Sequence, residues 1–461
     1  MFVGRKKEIN DLSKYIDNNK SILVFGLRRV GKTTLIKEVM KRNDRNYVYY
    51  ECIKASESQN VSYFIELLKE KISFPNLVFN DFLSIFNYLN KNYSNYTFII
   101  DEYSYLKEYY ITSKKQGSQQ EALRIDSSFQ KIIDEYLENN SLVLCGSSIS
   151  IMKGLIDYNS PLYDRFSYIL HLKEFSYYDL KYFFPNLDNE KLIEIYSIFG
   201  GSPHVLNMLS KDNSLEDNIK DLLLDENSKV RNHITINVIS EFNKDSDLNT
   251  ILNVIKNGTK NYSDIFNRTK IETSGLLDKK LKKLVELDLI ERVYPINMEN
   301  NNKKCQYEIK DNLLKFYYTY VYGKESILSL YGKERFYSEH IEKSLNEFIS
   351  RRFERIVRDY FAISIKNGKY KDIINIGSYF SCDSEFDCVL KKSDSSYIVF
   401  EVKYYDKPIS AFLQRKEITS IEKIKGINVT EIGFVASNGV EEKIEGIKYL
   451  ELDDLFNNIK E

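Results

Sequence analysis

Ser21-Ile-Leu-Val-Phe-Gly26-Leu-Arg-Arg-Val-Gly31-Lys32-Thr33-Thr34 is the stretch that decides the fold. An apolar run of strand length enters a glycine-bounded loop, and the loop opens directly into a helical segment that runs to Met40. The loop fits G-x-x-x-x-G-K-[ST], and its position between strand and helix gives the match its meaning. Gly26 and Gly31 allow the backbone of Gly26, Leu27, Arg28, Arg29, Val30 and Gly31 to turn its N–H groups inward around phosphate oxygens. The helix beginning at Lys32, Thr33 and Thr34 adds positive potential at its N-terminus. In this pattern Lys32 reaches the β- and γ-phosphates of a nucleoside triphosphate and Thr33 ligates Mg²⁺. ATP and Mg are therefore the expected ligands.

Outward from that loop, short apolar runs alternate with helical periodicity. Ser21–Gly26, Tyr47–Cys52, Thr97–Ile100, Ser141–Cys145 and Tyr168–Leu172 read as buried strands, and Phe129–Leu137 carries a helix stripe between two of them. Such alternation predicts a parallel sheet covered by helices. The third run ends in Asp101-Glu102. Carboxylates at a strand's C-terminal end lie where open α/β sheets bind ligands. Asp101 is expected to hold Mg²⁺ through water, and Glu102 to polarise the attacking water.

Taken in order, the FVGR start with Glu8, GLRRVGKTT at 26–34, IIDE at 99–102, FQKIID at 129–134, LVLCGSSISIM at 142–152, PLYDRF at 161–166 and GGSPHVL at 200–206 resemble the archaeal-type ATPases of the AAA+/STAND branch. The resemblance implies further roles. Phe2–Arg5 would line the adenine pocket, Ser147 would be a polar sensor, and Gly201, Ser202 and Pro203 would meet the nucleotide from a helical lid. Arg165 would act on the γ-phosphate. Asp164 stands where the family often has glycine.

Beyond about Phe175 the chain reads as helical to Arg231, broken at Gly200–Pro203. Leu277, Leu281, Leu284 and Val285 then form one helix stripe, followed by a hairpin around Glu299–Lys304, which reads as a winged helix-turn-helix. Its polar face carries Lys279, Lys280, Lys282 and Lys283, and its wing Lys303 and Lys304. Double-stranded DNA would suit this basic surface; the competing reading is a solvated face on a domain packed against the ATPase, and in the resembling family the winged helix can serve as an interdomain coupler.

Near the C-terminus, Tyr397–Tyr404 is a strand with Glu401 and Lys403 on one face. If the preceding turn centres on Asp394, opposed residues have numbers summing to 788, so Asp387 faces Glu401 and Glu385 faces Lys403. Two acids on one surface suit Mg²⁺, with Lys403 positioning or deprotonating a water. With Glu354 on the preceding helix, Asp387…Glu401-x-Lys403 resembles the PD-(D/E)XK restriction-endonuclease superfamily, and in particular the domain of unknown function often fused to these ATPases. That resemblance covers about 341–455. It implies catalytic roles for Glu354, Asp387, Glu401 and Lys403 and metal ligation by Asp387 and Glu401. Many domains of this shape keep the fold without the reaction.

Composition bounds the rest. A chain of 461 residues predicts about three domains. The 66 Lys+Arg balance 67 Asp+Glu, which excludes a uniformly basic nucleic-acid coat. Five scattered Cys and four separated His argue against disulfide or zinc frameworks and for a reducing, cytoplasmic setting. No apolar run of about 18 residues and no signal-peptide core is present, so no membrane partner is expected. The expected architecture is α/β: a P-loop ATPase parallel sheet over 1–174 and a helical lid over 175–240, then a winged helix-turn-helix over 241–322 and a restriction-endonuclease-like α/β domain over 341–461. The function expected is an Mg-dependent ATPase coupled to a nuclease-like domain acting on DNA. The alternative is a nucleotide-dependent switch or DNA-binding regulator whose nuclease-like domain is inactive. A homo-oligomer or a regulatory protein partner fits either.

Overall fold

The computed structural model describes residues 2–113, 117–234, 246–299, 301–380 and 385–457. Cys382 and the expected lid boundary at 240/241 lie outside the described residues. The polypeptide divides between Glu174 and Phe175 into two compact units.

In the first unit, β1 (Ser21–Phe25), β2 (Asn46–Glu51), β3 (Tyr96–Asp101), β4 (Ser141–Gly146) and β5 (Tyr168–His171) form one sheet in the order β2-β3-β4-β1-β5. All four pairings are parallel. Helices cover both faces, so the two-residue side-chain period sends alternate residues into different cores. Leu23, Phe25, Phe98, Ile100, Leu142 and Leu144 enter one core, while Ile22, Val24, Ile99 and Val143 enter the other. Each fully buried aliphatic or aromatic side chain stabilises by about 1.5–3 kcal/mol. The parallel sheet with its helices is the P-loop ATPase fold expected from the sequence.

The second unit begins with short helices, among them Asn189–Phe199 and Pro203–Leu206. Gly201 permits a close backbone approach there: a Cβ on it would lie 1.8 Å from the Phe175 carbonyl oxygen. Three helices follow at Ser246–Ile255, Tyr262–Thr269 and Ser274–Glu286. Next to them is a small antiparallel sheet of β6 (Lys260–Asn261), β7 (Ile290–Val293) and β8 (Gln306–Ile309), in the order β6-β8-β7. Leu277, Leu281 and Leu284 are buried as their spacing requires.

Helices Asn312–Tyr320, Glu325–His340 and Glu342–Lys366 lead to the last sheet, and Gly332 (φ 71°, ψ 165°) kinks the second of them. The last sheet contains β9 (Ile373–Phe380), β10 (Glu385–Lys392), β11 (Ser396–Lys403), β12 (Asn428–Ala436) and β13 (Lys448–Glu451). Its order is β13-β12-β11-β10-β9. The β9-β10-β11 meander is antiparallel, and β12 and β13 join it in parallel. Cys388↔Phe400, Val389↔Val399, Leu390↔Ile398 and Lys391↔Tyr397 all obey the register read from the sequence.

The residues after β7 run onto edge strand β9: Pro295 bridges Ser378, and the Ile296 N–H donates to the Ser378 carbonyl at 2.9 Å. Ile296 is part of the hydrophobic core of the C-terminal sheet. An exposed edge is a template for further pairing, and here the segment after β7 occupies it.

Candidate functional site

The parallel strands of the first unit bring their C-terminal ends together, and the sheet order sets the spacing. Because β4 lies between β1 and β3, Ser147 stands between the loop after β1 and the acid pair after β3. Gly26 touches its surroundings without a side chain, since a Cβ would fall 2.2 Å from the Leu172 carbonyl oxygen. Gly31 caps the following helix at φ 97°, a left-handed conformation that glycine adopts without penalty. Arg29 is also left-handed, at φ 66°. Arg28 donates to the Tyr105 hydroxyl at 3.1 Å.

Lys32 turns its ammonium onto the loop, donating to the carbonyls of Gly26 at 2.9 Å and Leu27 at 3.0 Å. Thr33 donates its hydroxyl to Asp101 Oδ2 at 2.8 Å. The Tyr49 hydroxyl donates to the same oxygen, and the Glu102 N–H donates to Oδ1 at 2.8 Å. Burial alone would raise the Asp101 carboxyl, but hydrogen bonds from Tyr49, Cys145, Thr33 and the Glu102 N–H outweigh it and hold the group below its ordinary value. Asp101 is therefore a carboxylate at neutral pH. Its oxygens and the Thr33 hydroxyl are the hard donors that Mg²⁺ takes, so the residues present fit that ion. Among the described residues no group of three or more His, Cys, Asp or Glu could hold a metal. A magnesium ion at Thr33 and Asp101 would therefore complete its shell with water and phosphate oxygens.

Glu102 occupies a left-handed position, φ 48°, at the turn from β3 into the helix Tyr103–Ile111. Its Oε2 accepts from the Ser147 hydroxyl at 2.8 Å and the Ser147 N–H at 3.1 Å. Sequence reasoning named both residues, and the sheet order makes them partners. It missed Tyr49 and Cys145, whose contacts with Asp101 depend on β2 and β4 flanking β3.

Arg165 is not brought to the loop it was expected to serve. It precedes β5, and its carbonyl accepts from the Ser21 hydroxyl at 2.7 Å, at the start of β1. The loop lies at the other end of β1, about 13 Å away at ~3.3 Å per residue. The guanidinium instead pairs with Asp134 at 3.0 Å. Pro203 begins the short helix Pro203–Leu206 in the second unit.

In the C-terminal sheet, Lys403 Nζ lies 2.6 Å from Glu401 Oε1 and 3.5 Å from Glu417 Oε1. Glu417 sits on the helix Ala411–Glu422 and was not foreseen, because only the packing of that helix brings it to β11. Burial would lower the Lys403 ammonium, but Glu401 and Glu417 raise it above its ordinary value. A lysine so held is a cation paired with both glutamates. Glu354 is raised well above the carboxylate range, first by burial and then by repulsion from Asp387. Asp387 is raised by burial against the opposing Arg358, and Glu401 by burial against Lys403. Arg358 also holds the strand, donating to the Asp387 carbonyl at 2.7 Å where a bulge interrupts the β9-β10 ladder. These four expected residues are electrostatic neighbours.

Comparison with known proteins matches two stretches of the chain. Residues 2–209 match the family described as an ATPase domain predominantly from Archaea. Over those residues the chain is similar to archaeal-type ATPase domains. Residues 317–421 match a second family, described as Archaea bacterial proteins of unknown function. Next to this pair of matches stands a relative from Methanocaldococcus jannaschii, Uncharacterized protein MJECL04, which is 29% identical over 415 residues and aligned over 88% of each chain. The Walker-type ATPase PABY2304 of Pyrococcus abyssi is similar in structure, with a TM-score of 0.51 and 18% identity. That similarity covers 69% of this chain and 96% of the other, and it concerns the fold. Among the described residues no helix is long and apolar enough to cross a membrane.

Proposed function

We propose that the chain is an Mg-dependent ATP hydrolase whose nucleotide cycle acts on a winged helix-turn-helix and a nuclease-like C-terminal domain. The observation that carries this reading is the Thr33–Asp101 contact at 2.8 Å, with Glu102 held by Ser147 beside it. Lys32 and the loop N–H groups would bind the phosphates, and Glu102 would orient and take a proton from the attacking water. Mg²⁺ at Thr33 and Asp101 would offset charge on the phosphate oxygens. Phosphate release by wild type and Glu102→Gln tests it: turnover at the same background level in both overturns the reading.

The domain limits proposed are a core over 1–174, a lid over 175–240 bearing Pro203, a winged helix over 241–322 and the nuclease-like domain over 341–461. Arg165 sits beside Ser21 at the start of β1 and pairs with Asp134; a homo-oligomer would let it serve the phosphate of a second copy of the chain. Cys52, Cys145, Cys305 and Cys388 are free and buried, in keeping with a cytoplasmic setting. Lys279, Lys282 and Lys283 are exposed, as are Lys303 and Lys304, and duplex DNA is the partner they suit. Lys280 is drawn to Asp247 at 3.2 Å.

The second reading is a nucleotide-dependent switch or DNA-binding regulator whose nuclease-like domain is inactive. The fixed Glu401–Lys403–Glu417 arrangement favours it. Plasmid nicking with Mg²⁺ or Mn²⁺, with and without ATP, separates the two. Cleavage lost in Asp387→Ala and Lys403→Ala supports a nuclease, and salt-sensitive DNA binding with no cleavage under either metal supports the switch.

A further inference from the structure

A cleft of about 570 Å³ opens in the second unit, and Asp387, Glu401 and Lys403 are not among its lining residues. Pockets of this size hold small molecules. Its wall carries Lys256, Lys315, Lys324, Arg351, Arg352 and His340. The opposing charge is Glu308 and Glu347. The two arginines are already engaged. Arg351 pairs with Glu347 at 2.6 Å. Arg352 is bound to Asn312, Glu308 and the carbonyls of Ile309 and Lys310.

The lysines are not balanced in this way. Among the described residues neither Lys256 nor Lys324 has an ion-pair partner, and Lys315 lies 3.8 Å from a Glu308 that Arg352 approaches at 3.2 Å. Burial and then Lys324 lower the Lys256 ammonium. Burial lowers Lys315 to about 8 despite Glu308, and Arg352, Arg351 and Arg355 oppose its charge further. Among the described residues His340 Nε2 is buried with no hydrogen-bond partner. Three ammonium groups in a partly desolvated cleft cost free energy unless an anion joins them. Lys256 follows the helix Ser246–Ile255, Lys315 lies on Asn312–Tyr320, and Lys324 precedes Glu325–His340. They converge only through packing.

We propose that this cleft is a binding site for a small phosphorylated molecule, whose phosphate is received by Lys256, Lys315 and Lys324. Tyr320 and Phe348, also on the wall, offer ring surface to the remainder of the molecule. Such a ligand would join the three-helix module to the helices that lead into the C-terminal sheet.

The test uses the full chain carrying Lys32→Ala, which disables the phosphate loop, and compares it with the same chain carrying Lys256→Gln and Lys324→Gln as well. Calorimetric titration with inorganic pyrophosphate is expected to show saturable binding in the first and at least a tenfold loss in the second. Thermal unfolding keeps the comparison interpretable. Without ligand the lysine variant should melt at the same or a higher temperature, because like charges have been removed, and its pyrophosphate-induced stabilisation should vanish. A parallel titration with a 5′-phosphorylated DNA 12-mer distinguishes the source of the phosphate. Binding of the oligonucleotide alone overturns the small-molecule assignment. Absence of saturable pyrophosphate binding, or binding undiminished in the lysine variant, overturns the site.

Discussion

Ser147 donates both its hydroxyl, at 2.8 Å, and its backbone N–H, at 3.1 Å, to a single carboxylate oxygen of Glu102. With the Ser104 hydroxyl at 3.3 Å as a third donor to the same oxygen, they fix the side chain that stands where an attacking water would be polarised. The amide oxygen of glutamine can accept these donors, but glutamine cannot accept a proton. Glu102→Gln is therefore expected to lose at least 100-fold in ATP turnover while ATP affinity and the thermal midpoint stay near wild type. Phosphate-release kinetics with equilibrium nucleotide binding check it. A parallel loss of binding would mean that the glutamate supports the loop rather than the chemistry.

Gly26→Ala places a methyl group 2.2 Å from the Leu172 carbonyl oxygen, and that oxygen is backbone and cannot swing away. Overpacking against a fixed neighbour costs about 1–3 kcal/mol. The variant should show a lower denaturant midpoint and weakened nucleotide binding, because either the loop or the backbone at Leu172, just after β5, must shift. An unchanged midpoint would show that the loop has room the geometry denies.

Arg352, only 1% exposed, joins the helix Glu342–Lys366 to the segment from Glu308 to Asn312. Removing one partner of a buried ion pair strands the other, at about 3–5 kcal/mol. Arg352→Ala should lose stability on that scale in denaturant titrations. Arg352→Lys should recover only part of it, since an ammonium cannot reproduce the planar fork. Full recovery by lysine would reduce the arginine's role to its charge.

Lys315 gives a pH signature with a definite sign. Its ammonium is lowered from 10.5 to about 8 on folding, chiefly by burial. Between those values the unfolded chain holds the proton more tightly than the folded one, so stability rises with pH across that window. The gain is at most about 3 kcal/mol, from ~1.36 kcal/mol per pH unit. Lys315→Met should flatten the slope between pH 8 and 10, as measured by urea unfolding at each pH. An unchanged slope would assign it to other groups.

Much of the first unit was legible because its signals are local. Strand runs such as Ser21–Phe25 are apolar on both faces, and the loop from Gly26 to Thr33 needs its glycines whatever surrounds it. Even the β10-β11 register followed from a turn centred on Asp394, since hairpin pairing is fixed by the turn. Arg165 was read from its motif alone, and the direction of β5 places it at the far end of the sheet. Glu417 and Tyr49 carry no pattern of their own, so their contacts with Lys403 and Asp101 could not be seen along the chain.

By itself, then, the sequence determined the sheet strands, the phosphate loop, the acid pair and the C-terminal hairpin, because periodicity, glycine geometry and turn register act over a few residues. Only the tertiary structure decided that Ser147 holds Glu102, that the segment after β7 pairs with β9, and that Lys256, Lys315 and Lys324 share one cleft. Those relations join residues tens of positions apart, and sheet order and helix packing set such distances where no local rule reaches.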